Sequence, residues 1–364
     1  MRNIVKSVLV LLASVFLFVI GYVGYVVVTY YRIEDNLKIE GHNPQSKMLE
    51  VEGEYSIVTY NIGFGAYDQE YTFFMDTGVM LGGEKVVGKQ GTATSEEHVV
   101  RNTQGSIDTM KLHEADFYIL QEVDTDSTRS YHVNQYDAIR TEFMNYDAIF
   151  AQNFHSAFLA LPINNPHGIA NSGLVTLSKY QITENVRRQY IVDDAFPYKY
   201  MDLDRCFLMS RLPLNNGKEL VLINSHMSAY DEGGLIRVQQ LAQLNQAMQE
   251  EYEKGNYVIV GGDFNHDLTN SIGVFESQQE TPSWVAKLTE SDIYEPMDIV
   301  VPTNSTEVPT CRAAEIPYEP GVNYTVIVDG FIVSNNIEAT AINIDNQFMY
   351  SDHNPVKLTF TFKN

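Results

Sequence analysis

Six times along the chain an apolar, β-branched stretch meets a cluster of polar acceptors. These are Thr59-Tyr60-Asn61-Ile62, Ile119-Leu120-Gln121-Glu122, Ile223-Asn224-Ser225-His226, Gly261-Gly262-Asp263-Phe264-Asn265, Val328-Asp329-Gly330 and Ser351-Asp352-His353-Asn354-Pro355. One such end is ordinary turn or cap chemistry. Six of them can converge on one site when their strands share a rim. The apolar runs Tyr55–Asn61, Phe117–Glu122, Ala148–Gln152, Leu174–Leu177, Phe207–Leu212, Glu219–Asn224, Tyr257–Val260, Val326–Val333 and Val356–Phe362 read as strands, bounded by Gly, Asn, Asp or Pro. Val238, Leu241, Leu244 and Met248 recur at helical spacing, with Gly255 as the stop, and a second helix is expected over Glu96–His113. Many strands with few helices between them imply two sheets packed face to face with helices outside. The glycine-bearing stretch Phe64–Thr103 has few clear elements and reads as a long loop, either part of a substrate mouth or surface decoration.

The N-terminus stands apart from this pattern. Val8–Tyr31 holds no charged residue over 24 positions. At about 1.5 Å per residue it is long enough to cross the roughly 30 Å hydrocarbon core of a bilayer. A cleaved signal peptide has a shorter apolar stretch and a small-x-small site, neither of which is present, so an uncleaved anchor is the preferred reading. Arg2 and Lys6 precede the run, and the positive-inside rule puts the N-terminus in the cytoplasm and the remainder outside, in the cell membrane's single-pass arrangement. Tyr22, Tyr25, Tyr30 and Tyr31 suit an interfacial aromatic belt. The expected organisation is a cytoplasmic N-terminus at 1–7, a transmembrane helix at 8–31, a polar tether at 32–52 and a catalytic domain at 53–364.

Residues 1–31 hold two basic and no acidic residues, so the remainder carries 22 Lys and Arg against 47 Asp and Glu, a net charge of −25. Such a domain repels a polyanion, which disfavours nucleic acid and favours a small or zwitterionic phosphate ester. Acidity also serves solubility alone. Cys206 and Cys311 are the two cysteines, and two residues cannot establish a disulfide. No Cys/His cluster points to structural zinc, and neither a serine nucleophile elbow nor a phosphate-cradling Gly-x-x-x-x-Gly-Lys occurs.

Carboxylate and amide oxygens in this pattern suit a hard cation such as Mg²⁺ or Mn²⁺, and the histidines can move protons near neutral pH. The set Tyr60-Asn61-Ile62, Gln121-Glu122, Asn224-Ser225-His226, Gly262-Asp263-Phe264-Asn265, Asp329-Gly330-Phe331 and Ser351-Asp352-His353-Asn354-Pro355 resembles the endonuclease/exonuclease/phosphatase family, in the family's order and over roughly 55–362. The resemblance implies a four-layer α/β sandwich, two packed mixed sheets flanked by helices, with the site at one end. It also implies roles. Glu122 is the principal metal ligand, supported by Asn61 and Asp352. His353 contacts the phosphate as base or electrostatic stabiliser and is oriented by Asp329. Asp263 orients or deprotonates the attacking water, Asn265 binds a phosphate oxygen, and His226 holds the phosphate and protonates the leaving oxygen. Asn171 matches a further phosphate-binding position. Arg205 and Arg312 are candidates for a substrate phosphate, against the commoner reading of an arginine solvated or paired with a carboxylate.

The expected function is therefore metal-dependent hydrolysis of a phosphate ester, by in-line attack of water on a small-molecule or lipid-headgroup ester. An external nuclease is the alternative. A non-catalytic ligand-binding member is disfavoured because every catalytic position is filled. No protein partner can be inferred.

Overall fold

The computed structural model describes residues 2–196, 198–200, 203–229 and 235–363. Thirteen strands form the two main sheets. In chain order they are β1 (Leu37–Lys38), β2 (Glu54–Asn61), β3 (Phe117–Asp124), β4 (Asp147–His155), β5 (Asn171–Ser178), β6 (Glu184–Gln189), β7 (Cys206–Pro213), β8 (Glu219–His226), β9 (Tyr257–Asp263), β10 (Met297–Ile299), β11 (Asp329–Ser334), β12 (Ile337–Asn343) and β13 (Val356–Phe362). One sheet has the order β12-β13-β2-β3-β5-β4 and the other β1-β6-β7-β8-β9-β11-β10. Four α-helices accompany them: α1 (Arg2–Thr29), α2 (Glu96–Leu112), α3 (Gln135–Glu142) and α4 (Leu235–Glu253).

Each sheet contains one parallel pair, β2 with β3 and β8 with β9, and every other pairing in the two sheets is antiparallel. A parallel pair needs a long return connection, and here each return contains a helix, α2 in the first case and α4 in the second. Strand alternation then sorts the side chains. Ile57, Phe117, Ile119 and Leu358 of one sheet meet Leu220, Leu222, Ile259 and Phe331 of the other in the central core. Val58, Tyr118 and Leu120 face outward onto Ile107, Met110 and Ile139 of α2 and α3. Val221, Ile223, Val258 and Val260 face the opposite way, onto Leu241, Leu244 and Met248 of α4. The result is the four-layer sandwich expected, helix–sheet–sheet–helix.

The helix ends follow their chemistry. Ser95 caps α2 by accepting from the His98 amide, with Glu96 and Glu97 in the first turn, and Asn134 does the same for α3 at Asp137. Beyond α4, Gly255 takes a φ of +80° and its amide closes onto the Tyr252 carbonyl, as the stop signal requires.

Two expectations change. The stretch 32–52 is not a free tether. Leu37 and Lys38 pair with Arg187 and Val186 at the sheet edge, the Leu49 amide bonds to the Pro213 carbonyl, and Ile33, Leu49 and Val51 are buried. The apolar residues spaced through an otherwise polar segment are what hold it down. The Phe64–Thr103 stretch is also more ordered than a decorated loop. It carries a short hairpin, Thr77–Val79 against Lys85–Val87, and a cluster of Phe64, Tyr67, Tyr71, Phe73 and Val99. Cys206 and Cys311 are free, buried thiols in separate clusters.

No residue of α1 is buried, Tyr22, Val26 and Thr29 being partly covered, and the helix is apolar enough to cross a membrane, a property that an N-terminal signal sequence shares.

Candidate active site

The two parallel pairs end on the same rim. In the register of the first, Asn61 lies opposite Gln121, one residue short of Glu122; in the second, His226 lies opposite Asp263. Two hydrogen bonds tie these ends across the sandwich. Asn61 Nδ2 donates to Asp263 Oδ2 at 3.0 Å, and Gln121 Nε2 donates to Asn224 Oδ1 at 2.8 Å. Asn224 in turn donates to the Leu120 and Val175 carbonyls of the opposite sheet. A carboxamide can donate and accept at once, so a buried Gln–Asn pair satisfies the polar atoms of both sheets where they meet.

The backbone turns sharply at both carboxylates. A register shift between Leu120 and Val123 puts Glu122 at φ +53°. Such bulges re-aim a side chain at the end of a strand. On the other sheet Gly262 sits at φ +142°, and a Cβ there would lie 1.9 Å from the Ser225 carbonyl oxygen, so only glycine fits before Asp263. Asn265 follows at φ +50°, with its amide donating to Asp263 Oδ1 at 2.9 Å and its side chain to the Met227 carbonyl.

Asp263 is the hub. Its Oδ2 lies 3.5 Å from His226 Nε2 and 3.7 Å from His353 Nε2. The other nitrogen of His353, Nδ1, shares a 2.7 Å hydrogen bond with Asp329 Oδ2. Ser351 links the last motif to the first: its hydroxyl donates to the Asn61 carbonyl at 2.7 Å and accepts from the His353 amide.

The two histidines are held in opposite states. Burial pushes His226 well below its ordinary value, and the positive charges of Arg205, His353 and Arg129 add to the fall, so it is neutral at neutral pH. Burial also opposes the charge on His353, but Asp329, Cys311 and Asp263 outweigh it and hold the imidazolium well above its ordinary value. Burial raises the Asp263 carboxyl to about 6, with His353 opposing and Asp329 adding to the rise. Burial raises Asp352 to about 6 as well, with His353 and Arg312 opposing and the Glu122 carboxylate adding to it.

Glu122, Asp352 and Asn61 therefore stand together with Asp263, Asp329, His353, His226 and Asn265. The donor set fits a divalent cation: carboxylates crowd one another, and Asp329 Oδ1 is buried without a partner among the described residues. Asn61 offers the poorest donor atom to a cation as oriented, because its Oδ1 already accepts from the Gly63 amide. One donor atom each of Asp263, Asp329 and His353 also lies within 4.8 Å of the others, although the Asp329–His353 hydrogen bond already accounts for that closeness.

Asn171 opens β5 on the same rim, with Nδ2 donating to the Asp126 carbonyl and Oδ1 accepting from Gln152. Arg312 is buried and donates to the Asp68 and Ala313 carbonyls, without a carboxylate partner among the described residues. Arg205 is buried beside β7, and its Nε and Nη1 have no partner among the described residues. Among the described residues neither shows the carboxylate pairing that the commoner reading of an arginine would give.

Sequence reasoning passed over Arg129. It is buried, grips Asp124 through two bonds of 3.0 and 2.8 Å, and lies 3.8 Å over the Phe64 ring. Its charge bears on both Glu122 and His226. Asp124 ends the strand that bears Glu122, so this pair fixes the bulge from behind. The signal was an Asp two residues past Glu122 and an Arg five further on, which nothing in the spacing marks out.

A search of curated proteins finds no match to this sequence. Solved structures do share the fold. An endonuclease/exonuclease/phosphatase protein from Beutenbergia cavernae aligns at a TM-score of 0.56 and 14% identity, over 85% of this chain and 72% of its own. TDP2 from Caenorhabditis elegans, in a truncated form, aligns at 0.52 and 12% identity, over 86% of this chain and 100% of its own. ANGEL2, described as a 2′,3′-cyclic phosphatase, aligns at 0.52 and 16% identity over 91% of this chain and 99% of its own. The endonuclease/exonuclease/phosphatase family model matches residues 58–353, from the strand bearing Asn61 to His353, and the chain belongs to that family.

Proposed function

We propose that the chain is a divalent-cation-dependent phosphoesterase acting on a small or lipid-borne phosphate ester. The observation that carries this reading is the position of Asp263 Oδ2 between two imidazoles, one neutral and one held protonated by Asp329.

Glu122 and Asp352, with Asn61 beside them, would hold Mg²⁺ or Mn²⁺, which neutralises charge on the phosphate when bound. Asp263 is raised toward neutrality and oriented by the Asn265 amide and the Asn61 carboxamide, so it is suited to accept the proton of an attacking water. A bond forms from the water oxygen to phosphorus as the ester P–O bond opposite it breaks. His353, with its charge fixed by Asp329, stabilises the negative charge gathering on the phosphoryl oxygens. Asn265 has amide hydrogen-bonding capacity left for the phosphate. His226 is kept neutral by burial, so it has one N–H to donate and no spare proton. We assign it to the phosphate rather than to the leaving oxygen, which then takes its proton from solvent. Asn171 lies farther along the rim and would contact the substrate's phosphate from the β5 side.

The net charge of −25 over residues 32–364 opposes a polyanion and supports a small or zwitterionic ester over a nucleic acid. The test is hydrolysis by the full chain, with Mg²⁺, Mn²⁺ or EDTA, of bis-p-nitrophenyl phosphate, p-nitrophenyl phosphate, phospholipids, sugar phosphates and DNA. Metal-dependent release that is absent in Glu122→Gln is the expected result. Turnover retained in that variant sinks the metal-holding role, and preference for DNA at every salt concentration sinks the substrate reading.

A further inference from the structure

The route by which α1 joins the domain bears on what the site faces. The helix does not leave from the far end of the sandwich. Tyr22 Oη donates to the Phe158 carbonyl at 2.9 Å and accepts from the Ala160 amide at 3.1 Å. Tyr31 stacks on His155 with ring centres 4.2 Å apart, and Tyr30 meets Tyr200 edge-on at 4.9 Å. Arg32 then pairs with Asp204 at 3.0 Å and Asp194 at 3.1 Å, while Arg187 holds the Glu34 carbonyl. These contacts fix the helix against two connections, β4 to β5 and β6 to β7. Both connections lie on the rim that carries Glu122 and His226. His155 pairs with Asn171 there, and Gln189 with Cys206.

The β4–β5 connection is unusual in two ways. From Ser156 to Pro166 it holds no charged residue, and it exposes Phe158, Leu161 at 56% and Ile163 at 85%. Across the rim, Ile191 and Phe196 of the β6–β7 connection are exposed too. The backbone of the β4–β5 connection is partly closed on itself: Leu159 and Gly168 exchange both bonds, the Asn165 amide bonds to the Pro162 carbonyl, and the His167 amide to the Leu161 carbonyl. Such internal bonds lower the cost of bringing an irregular segment to the lipid boundary.

Depth follows from the helix. Tyr25 and Tyr22 lie six and nine residues inside the outer end of the uncharged run. At about 1.5 Å per residue that is roughly 9 and 14 Å. The run exceeds the roughly 30 Å hydrocarbon core by only about 3 Å at each end. Tyr25 then lies roughly 6 Å and Tyr22 roughly 11 Å below the hydrocarbon boundary, so Phe158, bonded to Tyr22, is level with the acyl chains whenever the helix spans, at or slightly beyond the depth of about 5–10 Å that interfacial apolar elements reach.

We propose that the Ser156–His167 connection, with Ile191 and Phe196 opposite it, seats in the lipid beside the anchor and turns the mouth of the site onto the headgroups of the same leaflet. This rests on the anchor and phosphoesterase readings above. The partner is a zwitterionic phospholipid surface. An anionic one is opposed by the acidic domain and by Asp193 and Asp194 at the rim, of which Asp194 is 83% exposed.

The test uses the full chain in phosphatidylcholine vesicles. Cys206 and Cys311 are buried, so a thiol introduced at the surface takes an environment-sensitive fluorophore. Labels at Ile163→Cys, at Val19→Cys within the helix and at Leu112→Cys at the far end of α2 are compared under quenching by spin-labelled lipid. Quenching at Val19 and Ile163 but not at Leu112 is expected. A label at Ile163 as unquenched as that at Leu112 overturns the proposal, and an unquenched Val19 overturns the anchor and the proposal with it. The double variant Leu161→Asp, Ile163→Asp should lose about tenfold or more on the vesicle's own phosphatidylcholine, since two buried apolar anchors are removed, and stay within about twofold on soluble bis-p-nitrophenyl phosphate. Equal loss on both substrates at an unchanged Tm overturns it. If wild type and Glu122→Gln are equally silent on both, the chemistry falls and the quenching alone decides the surface.

Discussion

The two parallel strand pairs use one backbone device for two kinds of chemistry. Both pairs close through a crossover containing a helix, and both end at the same rim. The β2–β3 pair ends on Asn61 and Glu122, which offer only oxygen and an amide. The β8–β9 pair ends on His226 and Asp263, joined by Asp329 from β11, a set of imidazole and carboxylate groups in which the proposed function gives Asp263 the water's proton and His226 the phosphate. The strain differs as well. Glu122 reaches its position through a bulge that a side chain can tolerate, whereas Asp263 depends on a glycine that nothing else can replace. If the proposed roles hold, such a division separates holding a cation from moving a proton, and each half can be broken alone.

The largest effect should come from the oxygen half. Glu122→Gln is expected to cost about a thousandfold in kcat/KM, roughly 4 kcal/mol at 1.36 kcal/mol per tenfold, with the far-UV spectrum unchanged. The same variant should lose the rise in Tm that Mg²⁺ gives the wild type, about 2.7 kcal/mol of stabilisation at a hundred times Kd. His226→Asn should keep that rise while losing activity. If it too loses the metal response, the division of labour is wrong. Next comes Asp329→Asn, which removes the charge that holds His353 protonated and should cost about a hundredfold, seen in kcat more than in KM.

Smaller effects fall on stability. Gly262→Ala should destabilise by about 2–4 kcal/mol, because the new methyl meets the Ser225 carbonyl at 1.9 Å, measured as a lowered urea midpoint. An unchanged midpoint would mean that β8 and β9 can part without cost. The smallest effect lies outside the comparison, at the end of α4. Burial works to raise the Glu251 carboxyl, but hydrogen bonds from Arg211, Lys254 and Asn256 lower it to about 2. A depressed carboxyl contributes stability above its unfolded value near 4.5 and loses it as pH falls toward 2. Glu251→Gln should flatten the acid side of the Tm–pH curve, costing roughly 1 kcal/mol at neutral pH once solvent screening of Arg211 is allowed for.

The central strands were legible because each is an unbroken apolar, β-branched run, and the helix expected over Glu96–His113 is found at Glu96–Leu112. The edges were not. Glu184–Gln189 reads Glu-Asn-Val-Arg-Arg-Gln, and its strand character comes from pairing with β7 and β1 rather than from composition. Ile337–Asn343 buries only alternate residues, so its apolar signal is half that of a central strand. Within the site, the residues named from the motifs are brought to one rim. What the motifs could not convey was the support behind them: the Asp124–Arg129 pair, the Gln121–Asn224 bond between sheets, and Asn61 reaching Asp263 across 202 positions of chain. Those contacts exist only once the two sheets meet. The docking of α1 was equally invisible, since it rests on backbone atoms of a loop more than a hundred residues away.

The position of β13 also governs when activity can appear. It lies between β12 and β2, inside the sheet rather than at its edge, and His353 stands three residues before its start. Synthesis proceeds from the N-terminus, so the first sheet waits with a gap beside β2 until the last strand described here has been made. Pairings of such long sequence separation form slowly. A nascent chain thus gains His353 and its finished sheet in one late event. A ribosome stalled before that point would release an inert, open-edged domain, recognisable to quality-control proteases by the unpaired strand it presents.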